Sequence, residues 1–261
     1  MHRVIVVPAE DSENLHERGL QLATRLHLPY VPRRKRTWTA IYQEEQTEAI
    51  LIVRGQKIEY HQGETVFSFH PGLAGLRILA LDRGQADHMV TAMGLREGDQ
   101  VLDCTLGLAS DAVVASFAVG TDGRVVGVEA SPLVAAVVAD GLQRYRFPKD
   151  PRVEAAMRRI EVVTGNHLEI LRRASDRSYD VVYFDPMFRH AIEESDGIGP
   201  LRALANHEPV SVEALGEAKR VARRRVVIKE RSGSAEFQRL VMERTVGGRY
   251  GPIAYGVIDC E

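Results

Sequence analysis

A chain of 261 residues with 44% hydrophobic and 27% charged residues has an ordinary globular composition, long enough for one large domain or for one domain with a small extension. Two cysteines, Cys104 and Cys260, exclude a disulfide framework and a multi-cysteine zinc site, so no metal is expected and a reducing, cytoplasmic setting fits. The net charge of -2 gives no global attraction to nucleic acid, and no apolar run approaches the roughly 20 residues of a membrane span or resembles a secretion signal.

In chain order, residues 3–7 are mostly β-branched and predict a short buried strand. Ser12 is placed to cap a helix reaching about His27, with Leu15, Leu20, Leu22 and Leu26 on its apolar side. Pro29 and Pro32 break the chain, Arg33-Arg34-Lys35-Arg36 follows, and a helix is expected over 38–45. Residues 49–54 and 57–60 read as a hairpin around Gly55-Gln56, with a third β-rich run at 65–69. Residues 1–70 are therefore expected to form a small α+β extension.

From about residue 84 the pattern alternates. Helices are expected at 84–93, 110–119, 132–144, 167–174 and 211–222, and strands at 100–103, 124–128, 160–164, 179–184 and 225–229. Such alternation implies a parallel sheet covered on both faces. Apolar runs at 240–246 and 252–258 flank Gly247-Gly248-Arg249-Tyr250-Gly251 and predict an antiparallel hairpin at the sheet edge. A mostly parallel sheet finished by such a hairpin is the pattern of the Rossmann-like class I methyltransferase fold, expected here over residues 71–261.

In an open parallel sheet, ligands sit beyond the carboxyl ends of the strands. Val101-Leu102-Asp103-Cys104-Thr105-Leu106-Gly107 ends an apolar run in a carboxylate and reaches a glycine turn. Arg124-Val125-Val126-Gly127-Val128-Glu129 ends a second run in a carboxylate suited to a ribose diol. A dinucleotide site requires Gly-x-Gly-x-x-Gly with a pyrophosphate on the helix N-terminus. Here Gly107-Leu108-Ala109-Ser110-Asp111 lacks two of those glycines, and Asp103 and Asp111 would repel phosphate. S-adenosylmethionine (SAM), with a cationic amino group and a sulfonium, is the expected cofactor. Asp111 either joins these carboxylates or caps the helix that follows. After the next strand, Asn166 can donate to and accept from an adenine edge; His167 either joins it or is only the first residue of a helix.

Tyr179-Asp180-Val181-Val182-Tyr183-Phe184 precedes Asp185-Pro186-Met187-Phe188, an element similar to the Asp-Pro-Pro-Tyr type found in methyltransferases of exocyclic amines. An aromatic amine is a poor nucleophile because its lone pair is delocalised into the ring. Asp185, with the Pro186 carbonyl, would accept its N–H bonds, and Phe188 would stack on the base, a contact of roughly 1–3 kcal/mol. Arg189, Lys229, Arg33 and Arg34 are candidate substrate contacts, and His190 is a candidate proton relay or surface contact. Arg33-Arg34-Lys35-Arg36, with Trp38 and Tyr42 nearby, reads either as a phosphate-binding, base-stacking run or as a solvated loop. Arg220, Arg223, Arg224 and Arg225 read as a helix end favoured by its dipole.

At these residues the chain resembles the RsmJ family, methyltransferases of the guanine 2-amino group in small-subunit ribosomal RNA. The resemblance covers roughly residues 70–258. It rests on Arg83-Gly84-Gln85, on the stretch from Leu102 to Ala112, and on Glu129-Ala130-Ser131-Pro132. Ala135-Ala136, Asp140-Gly141-Leu142, the stretch from Val182 to Phe188, and Val226-Val227-Ile228-Lys229 complete it. It implies cofactor contacts at Ser110, Asp111, Glu129, Ala130, Asn166, His167 and Asp185, and small-subunit ribosomal RNA or the assembled 30S particle as partner. The chain departs from the family's Gly-Leu-Gly-Arg-Asp at Gly107-Leu108-Ala109-Ser110-Asp111, and has Arg189 where the family has proline. Its first 70 residues, including Tyr30-Val31-Pro32-Arg33-Arg34, resemble a Gram-positive branch instead. Two other readings stay open: a methyltransferase of a protein amide or small-molecule amine, and a non-catalytic RNA-binding assembly factor of the same fold.

Overall fold

The computed structural model describes residues 3–186, 208–247 and 251–260. Its N-terminal part comprises β1 (Val4–Pro8), α1 (Glu13–Leu26), α2 (Trp38–Glu44), β2 (Ala49–Val53), β3 (Ile58–Gln62) and β4 (Thr65–Ser68). They form a four-stranded sheet in the order β1-β2-β3-β4, with β1 and β2 parallel and the other pairs antiparallel. Every residue of β1 and β2 is buried, which explains their unbroken apolar runs. Val4, Val6, Ala49 and Leu51 share one apolar cluster with Leu15 and Leu22 of α1, while Ile5, Val7, Ile50 and Ile52 share another with Ile41 of α2 and Trp38. Leu20, expected on the apolar side of α1, is instead 50% exposed. Ser12 precedes α1, but its side chain makes no capping hydrogen bond.

The second sheet has seven strands: β5 (Gln100–Asp103), β6 (Arg124–Glu129), β7 (Ile160–Thr164), β8 (Tyr179–Phe184), β9 (Ala222–Arg231), β10 (Arg244–Gly247) and β11 (Ile253–Asp259). Their order is β7-β6-β5-β8-β9-β11-β10, parallel except for β11, which runs antiparallel to both neighbours. Helices α3 (Ala74–Asp82), α4 (His88–Met93), α5 (Ser110–Val119), α6 (Pro132–Arg144) and α7 (Pro151–Arg158) contribute to the apolar cluster on one face. Helices α8 (His167–Arg173) and α9 (Val212–Val221) cover the other, and α10 (Glu236–Arg239) lies in the connection to β10. This is the class I methyltransferase arrangement. The helix expected at 84–93 begins only at His88, because the Asp87 carboxylate accepts from the Met89 and Val90 N–H groups. Residues 84–87 are not helical, and α3 ends before them at Asp82, with no capping side chain to announce its start.

Phe69 and α6 join the two sheets. A Cβ on Gly141 would lie 2.2 Å from the Phe69 side chain, so glycine permits this close approach. Phe69 also meets Tyr145 edge to face, with ring centroids 5.7 Å apart. Arg18 of α1 donates to Asp140 of α6 at 3.0 Å. One apolar cluster runs from Leu22, Tyr60 and Phe67 through Val138 and Leu142 to Val101 and Tyr183. The extension therefore has its own sheet but shares its core with the rest of the chain.

Candidate active site

Strand order reverses between β5 and β8, so the carboxyl ends of these strands form the crevice where this fold takes ligands. Asp103 ends β5 and is buried, with its Oδ1 accepting the Thr105 N–H at 3.0 Å. Burial, reinforced by Asp111 and Asp185, pushes its carboxyl up to about 8. The turn that follows is stitched to both neighbours. The Cys104 N–H donates to the Tyr183 carbonyl (2.8 Å), and the Leu106 N–H donates to the Val128 carbonyl (2.9 Å). Gly107 has φ +49°, a left-handed conformation that favours glycine. Its N–H donates to Glu129 Oε2 at 3.1 Å, and the Ser131 N–H donates to Oε1 at 2.8 Å. Glu129 thus ties the ends of β5 and β6 together. Burial raises its carboxyl against these N–H bonds.

Ser110 opens α5 after Ala109, which is left-handed at φ 60°. Ala109, not Asp111, occupies the N-cap position. Ala130 is exposed in the turn after β6. Asn166 is exposed, and its Oδ1 accepts the Leu168 N–H at 2.9 Å, so it caps α8. The His167 ring stands edge-on to Phe184, with centroids 5.6 Å apart, and burial lowers its basicity.

A chain of alternating charges closes the crevice beneath Asp185. Asp87 accepts two bonds from Arg77, at 2.8 and 3.0 Å. Arg77 also pairs with Asp111 Oδ1. Asp111 Oδ2 accepts from Tyr183 Oη (2.7 Å) and from Lys229 Nζ (2.9 Å), and Lys229 Nζ donates to Asp185 Oδ2 at 2.8 Å. Burial alone would raise Asp111; Lys229 and Arg77 outweigh it and hold the carboxyl below its ordinary range. Burial raises Asp185, with Lys229 opposing. Burial would lower Lys229, but Asp185 and Asp111 raise it above the ordinary lysine value. The Asp185 N–H donates to Thr105 Oγ1 at 2.5 Å, which ties the end of β8 to the turn after β5.

The structure brings Asp103, Gly107, Ser110, Asp111, Glu129, Ala130, Asn166, His167, Asp185, Pro186 and Lys229 to the carboxyl ends of β5 to β9 or the turns beyond them. Asp111 Oδ1 pairs with Arg77, and its Oδ2 accepts from Tyr183 and Lys229, so it anchors three neighbouring elements. Lys229, expected at the substrate, spends its ammonium on two carboxylates. Arg33 and Arg34 belong to the N-terminal sheet unit. The Arg33 guanidinium lies 4.4 Å over the Trp38 ring, and its Nε and Nη1 donate to the Arg36 and Ala9 carbonyls. Arg34 is exposed. The second basic cluster is likewise engaged: Arg220 with Asp176 and Glu217, Arg223 with Asp180, Arg224 with Asp99, and Arg225 with Asp259. Only Arg220 lies in a last helical turn; the other three belong to β9. Met187, Phe188, Arg189 and His190 lie outside the described residues.

Residues 21–244 match the SAM_MT family of SAM-dependent methyltransferases. The chain belongs to this family. This methyltransferase is 39% identical over 260 residues to the uncharacterized protein YpiP of Bacillus subtilis strain 168, covering 98% of this chain and 99% of that protein. It is 28% identical over 230 residues to ribosomal RNA small subunit methyltransferase J of Thioalkalivibrio sulfidiphilus, covering 84% of each chain. Its fold is that of the SAM-dependent methyltransferase NGO1261 from Neisseria gonorrhoeae, with a TM-score of 0.61 and 18% identity over 98% of this chain and 95% of that one.

The cofactor of the family is SAM, and the site suits it. Asp103, Glu129 and Asp185 place three carboxylates at neighbouring strand tips. The cations among them, Arg77 and Lys229, are paired with Asp87, Asp111 and Asp185. No positive charge is left over there, among the described residues, for a pyrophosphate. A cationic cofactor without phosphate fits that donor set. Thr105, Arg77 and Tyr183 complete the site; Thr105 and Tyr183 lie in stretches that carry the resemblance, but nothing in the sequence assigns the three a role.

Proposed function

We propose that this methyltransferase modifies the exocyclic 2-amino group of a guanine in 16S ribosomal RNA. The observation that carries the proposal is Asp185 at the tip of β8, held at Oδ2 by Lys229 Nζ at 2.8 Å. A carboxylate oxygen there accepts an amine N–H, so that the nitrogen lone pair turns toward the methyl donor. Asp103 would hold the cofactor's amino group, Glu129 its ribose diol and Asn166 the adenine edge. When bound, SAM would supply an electrophilic methyl for the amine nitrogen, its sulfonium sulfur being the leaving group. Asp185 would hold the amine N–H, and Asp185 or water would take the proton that the methylated amine gives up. Positioning these groups in line supplies much of the acceleration. The relative in Thioalkalivibrio sulfidiphilus, named for small-subunit ribosomal RNA, supports the choice of substrate.

The test is mass spectrometry of ribosomal RNA nucleosides from a deletion strain, followed by labelling of its small subunits with the purified protein and SAM. The expected result is loss of one methylated guanine, restored at one position in vitro. Unchanged nucleosides and no transfer to RNA would overturn the proposal. A second reading, transfer to a protein amide or small-molecule amine, draws support from the engagement of Arg33 and Arg220 to Arg225 in internal bonds. Transfer to a protein or small amine, with none to RNA, would identify it.

A further inference from the structure

Lys229 is the one lysine in the crevice, and both of its carboxylate partners are largely withdrawn from water. Its side chain is 20% exposed, against 8% for Asp111 and 28% for Asp185. Removing an ammonium and two carboxylates from water costs several kcal/mol per ion, which their mutual attraction only roughly offsets. Stability therefore does not account for the arrangement, whereas its geometry suggests a task. The register of β8 and β9 aligns Phe184 with Ile228, so Asp185 and Lys229 follow side by side. Lys229 cannot swing freely, because Asp111 holds the same ammonium and is itself held by Arg77 and Tyr183. The main chain of Asp185 is fixed separately through Thr105.

We propose that Lys229 is a positioning residue: it grips one oxygen of Asp185 and keeps the group a carboxylate, leaving the other oxygen to accept the N–H of the substrate amine. This rests on the reading of Asp185 as the amine's acceptor. Among the described residues, the groups facing Asp185 are Lys229 from β9, Asp111 from α5 and Asp103 from β5, with Tyr183 from its own strand and Arg77 and Tyr255 beyond Asp111. Without the ammonium, Asp185 faces other carboxyl groups in a poorly solvated place, and such a group takes up a proton. A neutral acid has lost part of its acceptor capacity and presents a donor instead.

The experiment follows the carboxyl carbon of Asp185 by NMR in the full chain across pH, assigned by comparison with Asp185→Asn. In Lys229→Met the titration midpoint is expected to rise by a pH unit or more, a tenfold or greater gain in proton affinity, while Lys229→Arg restores the wild-type midpoint. Lys229→Gln repeats the measurement should the methionine variant fail to fold. An unchanged midpoint in either folded neutral variant overturns the proposal. With RNA as substrate, the acid limb of the kcat profile should move upward with that midpoint, and KM for SAM should stay constant. Wild-type kcat at every pH in Lys229→Met would also overturn it. The titration needs no substrate. A wild-type protein that methylates no RNA would count against the substrate assignment alone, and the NMR result would still decide the role of Lys229.

Discussion

With no cation bound beside it, burial pushes the Asp103 carboxyl up to about 8 in the fold, against about 4 for a free aspartate, and the cofactor's ammonium would favour its ionised form. Between those values the folded state binds more protons than the unfolded one, so stability falls as pH rises. This contribution is complete below about pH 4 and is lost as pH climbs through about 8, with a steepest slope of ~1.4 kcal/mol per pH unit. Asp103→Asn removes it. Urea denaturation at about pH 6 and about pH 8 should show the variant gaining on wild type by on the order of 2 kcal/mol. A difference that does not change with pH would show that Asp103 is already ionised. The candidate carboxylates Asp103, Glu129 and Asp185 are legible in the sequence because each closes or follows an apolar run. Arg77, Thr105 and Tyr183 are not, since their partners lie 34, 80 and 72 residues away. The resemblance implied a cofactor contact at Asp111; the side chains that hold it come from α3, β8 and β9, which sequence spacing does not bring together.

Among the elements, β5 to β8 and α5, α6 and α8 are legible because period-2 and period-3.6 apolar patterns alternate between turn residues. Three helices escape for different reasons. Helix α3 is apolar around most of its circumference and lacks a cap. Helix α7 is short, although Asp150 caps it by accepting the Arg152 N–H and Pro151 opens it. Helix α10 spans four residues. The contact between α6 and Phe69 is equally hidden in Asp140-Gly141-Leu142, which reads only as a helical stretch. It can be tested through sign. Alanine for glycine inside a helix ordinarily gains about 0.5–1 kcal/mol. At Gly141 the added Cβ would lie 2.2 Å from the Cβ of Phe69, an atom bonded to its own backbone and unable to swing aside. Overpacking of this kind costs ~1–3 kcal/mol. Gly141→Ala should therefore be less stable than wild type by ~1 kcal/mol or more. Gly216→Ala in α9, with nothing within 4 Å, should show the ordinary gain. Equal gains in urea denaturation would refute the close approach.

For the whole molecule, the question is whether the two sheets fold as one body. Residues 1–70 look separable in sequence because their strand pattern ends before the alternating pattern begins. The shared apolar cluster, the contact of Phe69 with α6 and the Arg18–Asp140 pair argue for a single cooperative unit. The chain supplies its own probe, since its single tryptophan, Trp38, begins α2 in the first sheet unit. Trp38 fluorescence reports that unit, whereas far-ultraviolet circular dichroism reports helices mostly in the second. If the core is shared, the two thermal transitions coincide, as two-state unfolding requires. A cofactor that binds only the folded state adds about 2.7 kcal/mol at a hundredfold excess over its Kd. SAM, if bound as proposed at the tips of the second sheet, should then raise the Trp38 midpoint as much as the dichroism midpoint. A Trp38 transition that precedes the other and ignores SAM would show that the first unit melts on its own.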